Sequence, residues 1–221
     1  MATITSPPAA VTSPPVTRTP TIGDVLTDAV PAGRMLLRPI PGSATVADVE
    51  AIRSREGRLC ELVDGILVEK TVGAHESSLA VILCHFLVNF VLPQKRGVVR
   101  GADGTIRLNP NLVRIPDVAF FSRARLPGGR LPSEPIPTII PDLAVEVLSA
   151  SNTHGEMERK LQDYFAAGVI LVWYLDPRRR TASVYTGIDQ VTHLDEAGTL
   201  DGGTVLPGFT LKVGDWFEAA E

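Results

Sequence analysis

Asp142-Leu143-Ala144-Val145-Glu146-Val147-Leu148 is the stretch that decides the reading of this chain. A short, continuous apolar run predicts a strand in a sheet covered on both faces. Glu146 sits inside that run with apolar neighbours on either side. An unpaired carboxylate there is costly, so it is normally paired, metal-bound or protonated. Immediately downstream, Ser151-Asn152-Thr153 supplies N-cap residues for a helix running through Ala167, with Gly168 as its natural C′ residue. Val169 to Leu175 then reads as a second buried strand. The passage predicts two parallel strands joined by a right-handed crossover.

Upstream, Leu112 to Phe121 is a further strand candidate, and its stretch Ile115-Pro116-Asp117-Val118-Ala119-Phe120-Phe121 is another apolar run interrupted by one acid. Asp64-Gly65 separates two short apolar runs in Glu61-Leu62-Val63-Asp64-Gly65-Ile66-Leu67-Val68-Glu69 and predicts a hairpin. Thr45 to Arg55 reads as a short helix and His75 to Leu92 as a long one. Gly97–Arg100, Thr105–Leu108 and Thr181–Tyr185 complete the strands, and Arg123 to Pro141 is a loop rich in Pro and Gly. The C-terminal fifth reads as turns and short strands around Leu206-Pro207-Gly208-Phe209. This order implies an α/β or α+β fold, a central mixed sheet flanked by helices.

Residues 1–20 are rich in Pro, Ser and Thr and are expected to be a disordered tail, leaving 21–221 as one domain. Of 221 residues, 44% are hydrophobic and only 5% aromatic, so the core rests on Val, Leu, Ile and Ala. The net charge of −4 argues mildly against a large nucleic-acid surface. Between Lys95 and Arg130, however, eight bases accompany two acids. Such a region suits phosphate binding, although solvated arginines on loops and strand ends fit it equally. Cys60 and Cys84 lack metal-ligand spacing and indicate no disulfide framework, which makes a cytoplasmic location the default expectation. The apolar stretch Leu79 to Leu92 is expected to be too short to span a bilayer.

Asp117 and Glu146 are acids on neighbouring strands, and hard oxygen ligands of this kind suit Mg2+ or Mn2+. On the predicted helix, Met157, Leu161, Tyr164 and Phe165 form the apolar stripe. Lys160 falls about 40° to one side of it and Glu158 about 20° to the other. Glu156, Arg159, Gln162 and Asp163 fall further away, so Lys160 is the base best placed to reach inward and Glu158 the acid to watch. A lysine that lays its stem on the core and its amine in water fits the same wheel. Asp117 could instead cap a turn or pair with Arg114. A carboxylate pair of glycosidase type would leave Lys160 idle, and few aromatics are available for sugar stacking.

The whole set resembles the PD-(D/E)XK nuclease superfamily and, within it, the Uma-type restriction endonucleases. The residues that carry the resemblance are Glu61-Leu62-Val63-Asp64-Gly65, His75, Pro116-Asp117-Val118 and Val145-Glu146-Val147-Leu148-Ser149. Lys160-Leu161, Tyr164, Ala167-Gly168-Val169 and Val172-Trp173-Tyr174-Leu175-Asp176-Pro177 continue it, over about Val46 to Phe217. The resemblance implies a restriction-endonuclease-like core, a divalent metal on Asp117 and Glu146, DNA as substrate, and a homodimer as an allowed state. It also implies that a lysine absent from position 148, where Leu148 stands, has moved to Lys160. Glu61 matches the family's Glu-x-x-Asp-Gly run and would complete the site; a strand-edge glutamate facing water is the alternative. His75 matches a family histidine and would border the site or face solvent.

The expectation is therefore a metal-dependent endonuclease acting on DNA through Asp117, Glu146, Lys160 and Glu61. Arg114, Arg123 and Arg125 are the candidate DNA contacts. The alternative is a catalytically silent module of the same fold that binds DNA or a protein partner.

Overall fold

The structure is a computed structural model and describes residues 29–71 and 73–220. The expected disordered tail, residues 1–20, lies outside the described residues.

Strand β1 (Cys60–Val63) and β2 (Ile66–Glu69) pair antiparallel with Val63 opposite Ile66. The turn between them places Asp64 at φ 50° and Gly65 at φ 74°, a left-handed pair that Asp-Gly tolerates. Gly65 has a second constraint, because a Cβ there would come within 2.5 Å of the Gly42 carbonyl oxygen. β1 also pairs with β5 (Leu112–Arg114), which pairs with β4 (Ile106–Asn109), giving a four-stranded sheet.

The six-stranded sheet runs β10 (Gln190–Leu194), β9 (Thr181–Gly187), β8 (Leu171–Asp176), β7 (Leu143–Val147), β6 (Val118–Ser122), β3 (Gly97–Arg100). β7 and β8 are parallel neighbours joined by a helix, and every other pair is antiparallel. This is the mixed α+β architecture the sequence implies.

The expected single strand Leu112–Phe121 is two strands in two different sheets. Pro116 has no N–H to give a ladder. On either side of it, the Ile115 N–H goes to Glu61 Oε1 and the Asp117 N–H to the Val145 carbonyl. The chain therefore changes sheet at the residue that carries the first candidate acid.

Helices α1 (Val46–Glu56), α2 (Ala74–Val91), α3 (His154–Ala167) and α4 (Val213–Glu218) cover the sheets. β10 and α4 fall in a region read from sequence only as turns and short strands. Alternation along β7 sends Leu143, Val145 and Val147 to a core shared with α2 and α4, and Ala144 to a second core shared with α3. Met157, Leu161 and Tyr164 of α3 share that second core with Val63, Ile66 and Val68 of the smaller sheet. So α3 lies between the two sheets, and Glu146, one residue from Val145 and Val147, faces it.

α2 has 18 residues and, by length and composition alone, is apolar enough to cross a membrane, which the shorter stretch expected from sequence was not. Its stripe Leu79, Leu83, Leu87 and Val91 is buried in the first core, and the Trp216 indole N–H donates to the Leu79 carbonyl at 3.0 Å.

Candidate active site

The candidate acids meet where β6 and β7 leave the larger sheet beneath α3. Asp117 immediately precedes β6, and the register of Val118 with Val145 sets it beside Glu146. One carboxylate oxygen of Asp117, Oδ2, accepts the Val147 N–H at 2.7 Å. The other, Oδ1, lies 2.8 Å from Lys70 Nζ. Asp117 thus pairs with Lys70, and Arg114 is engaged elsewhere.

Glu146 is buried, and its two oxygens have different partners. Lys160 Nζ donates to Oε2 at 3.0 Å and the Tyr164 hydroxyl donates to Oε1 at 2.5 Å. Lys160 Nζ also lies 3.3 Å from Glu61 Oε1. Lys160 and Tyr164 are four residues apart, one turn of α3, which is why both reach the same carboxylate. Glu61 on β1 accepts the Ile115 N–H and the Arg114 guanidinium, the latter at 2.7 Å. Arg114 continues to Asp163, and Asp163 to Arg159.

Burial penalises charge on all these groups, and the neighbours decide which way each goes. Burial pushes the Glu146 carboxyl up; nearby Asp117 and Glu61 add to this, and Lys160 and Lys70 offset only part of it. Burial would also raise Glu61, but Lys160, Arg114, Lys70 and the Ile115 N–H outweigh it and hold the group well below the usual carboxylate range. Lys160 loses to burial and gains more from Glu146 and Glu61, so its ammonium is held firmly. Burial and the two glutamates raise the Tyr164 phenol, which stays protonated and able to donate.

Glu61, Asp117, Glu146 and Lys160 all line one small polar cavity, of about 20 Å³, together with Lys70, Arg34 and Glu76. That is room for an ion or a water molecule. The oxygens of Asp117 and Glu146 are hard donors that could hold a divalent cation.

Several expected residues lie elsewhere. Arg114 is 2% exposed and spent between Glu61 and Asp163, so it corrects to a buried partner of the site and offers nothing to DNA at the surface. Arg125 is tied to Asp142 at 3.1 Å and to the Gly168 carbonyl. Asp142 and Glu146 are four residues apart on one extended strand, about 13 Å. Arg125, and the exposed Arg123 two residues before it, therefore sit at the far end of the sheet from the cavity. His75 is exposed and does not line the cavity. Glu158 is exposed and pairs with His154, whereas Glu156 and Asp163 are buried.

Reasoning from sequence missed Lys70, Arg34, Glu156 and Asp163. Arg34 pairs with Glu156, which also accepts from Asn152 Nδ2 at 3.1 Å. The available signal was the spacing of Glu156, Lys160 and Asp163. Steps of four and three put three charges on one helical face, beside the apolar stripe.

The fold has a solved counterpart. A structure described as a putative nuclease belonging to DUF820, from Anabaena variabilis, matches with a TM-score of 0.66 at 18% identity, over 74% of this chain and 92% of that one. At that identity the likeness establishes the restriction-endonuclease-like fold. No curated protein matches the chain. A family model described as "Uma2: Putative restriction endonuclease" matches residues 46–214. With three quarters of its length accounted for by that model, the chain belongs to the Uma2 family, a family of nucleases.

Proposed function

We propose that this protein hydrolyses phosphodiester bonds of DNA as an endonuclease that depends on Mg2+ or Mn2+. The observation that carries the reading is the convergence of the buried side chains Glu61, Asp117, Glu146 and Lys160 on one small polar cavity. The donor set fits a small hard cation. The Lys70 ammonium already stands in for one, ringed by Asp117 Oδ1 and the Ile115 carbonyl oxygen.

Asp117 and Glu146 would hold the metal. When bound, it would lower the pKa of a water molecule and offset charge on the scissile phosphate. The rest falls to the chain's own residues. The Val147 N–H fixes the orientation of Asp117. Tyr164 and Lys160 grip the two oxygens of Glu146 and prevent its rotation. Glu61, kept ionised by Arg114 and Lys160, holds the Lys160 ammonium at the cavity wall, where it can meet developing negative charge.

One observation favours a second reading, a silent module that binds DNA or a protein partner. Both candidate metal ligands are paired with lysines, and among the described residues no three His, Cys, Asp or Glu side chains are grouped to hold a metal. Plasmid nicking separates the readings. Nicking that requires Mg2+ or Mn2+, stops with chelator and is lost in Asp117→Asn supports the enzyme. Mn2+ binding and nicking both absent would leave the module.

A further inference from the structure

Lys70 lines the cavity and has no catalytic step in the reading above. Its main chain is pinned at the end of β2, with the N–H donating to the Leu59 carbonyl at 2.8 Å. Its side chain is 6% exposed, and its ammonium contacts Asp117 Oδ1 and the Ile115 carbonyl oxygen. Asp117 does not need that contact for its orientation, because Oδ2 is already held by the Val147 N–H. Oδ1 is therefore the oxygen available to a ligand, and Lys70 covers it.

We propose that Lys70 is a displaceable resident cation: it covers Asp117 Oδ1, the oxygen that a divalent metal held by Asp117 and Glu146 would need, and on metal entry it would turn to the substrate phosphate. This rests on the metal-dependent reading above. A carboxylate and a main-chain carbonyl are the hard oxygens that Mg2+ or Mn2+ selects. An ammonium and a dication cannot share Oδ1 without strong repulsion. One must leave, and Lys70 can: its four-carbon stem is flexible and its charge is compact. Lys160 is held differently. It bridges two carboxylates, Glu61 and Glu146, and loses both if it moves.

The displaced ammonium stays at the cavity, whose wall Lys70 shares with Thr71, Ser149 and Asn152. A phosphate oxygen is the anion that entering nucleic acid would present there. Lys70 thus neutralises the site when metal is absent, and adds to the binding of the reacting phosphate when metal is present.

The test is calorimetric titration of Mn2+ into the full chain, beside Lys70→Met and Lys70→Gln, with nicking measured at saturating Mn2+. Lys70→Gln keeps a donor for the Ile115 carbonyl and guards against a folding defect, which circular dichroism would reveal. Both variants should bind Mn2+ roughly tenfold tighter or more, the scale on which a like charge opposes ionic binding nearby. Both should nick about tenfold or more slowly once saturated, having lost a phosphate contact. Arg34→Gln is the control for mean charge, since Arg34 lines the same cavity without touching Asp117. Unchanged or weaker Mn2+ binding in both Lys70 variants, or an equal gain in Arg34→Gln, overturns the proposal. Mn2+ binding by the parent with no gain in the variants sinks Lys70 alone. No binding by the parent or either variant sinks the metal-dependent reading and Lys70 with it.

Discussion

Arg114 Nη1 lies 2.7 Å from Glu61 Oε2, with both side chains almost wholly buried. Glu61 meets Lys160 on its other oxygen, so this pair joins the cavity to the charge ladder of α3. Breaking a buried pair by removing one charge costs about 3–5 kcal/mol, because the remaining charge is left uncompensated. Glu61→Gln should therefore lower stability by about that amount at neutral pH, measured by denaturant unfolding.

The same substitution has a pH signature. Glu61 is held below its ordinary value of 4.5, so its stabilisation is fully present above that pH and fades as pH falls through the acid range. Below 4.5 the stability gap between the parent and Glu61→Gln should narrow. A gap that stays constant from neutral to acid pH would show that Glu61 acts through packing and not through its charge.

Asp117→Asn and Glu146→Gln keep shape and remove a negative ligand each. Both should abolish metal-dependent nicking. Mn2+ should raise the melting temperature of the parent and not of the double variant, since a ligand that binds only the folded state stabilises it by mass action. Equal shifts in the two proteins would place the metal elsewhere.

Arg123 offers a test of where DNA lies. It is exposed on the segment that leaves β6 at the end opposite Asp117. Charge reversal at Arg123 should leave the nicking rate within about twofold, because surface substitutions away from a contact change little. A steep loss of DNA affinity at low salt, recovered by no other change, would return this end of the sheet to the DNA interface.

The strands and the crossover were legible because apolar runs and caps are local signals. Asp142–Leu148 and Thr153 to Gly168 carry their own boundaries. The break at Pro116 was visible as a residue but not as a change of sheet, since the partner that takes the Ile115 N–H is Glu61, more than fifty positions away. Lys70 was hidden for a related reason. A lysine ending a hairpin strand looks like a solvated edge, and only the packing of that hairpin over α3 turns it inward. The helical wheel placed Lys160 correctly beside the apolar stripe but assumed that the buried face is apolar. Here the face also buries Glu156 and Asp163, which find partners in Arg34, from the short 3-10 turn Ala32–Arg34, and Arg114, from β5 of the smaller sheet.

Lys160 itself remains the sharpest catalytic test. Its ammonium grips Glu146 and faces the cavity, so it acts both on the orientation of that carboxylate and on charge that develops beside it. Lys160→Ala should lower kcat for nicking by roughly 10²-fold or more, as expected for loss of a contact that strengthens in the transition state. KM for DNA should change by only about threefold, because the interaction is not one of uniform binding. Mn2+ affinity should not fall, since Asp117 and Glu146 both survive. Lys160→Arg should recover little, because a planar guanidinium is too large to bridge Glu61 and Glu146 within a space cut for one amine. A variant that loses affinity for DNA and metal in step with kcat, and regains all three with arginine, would reduce Lys160 to a source of positive charge and remove it from the catalytic chemistry.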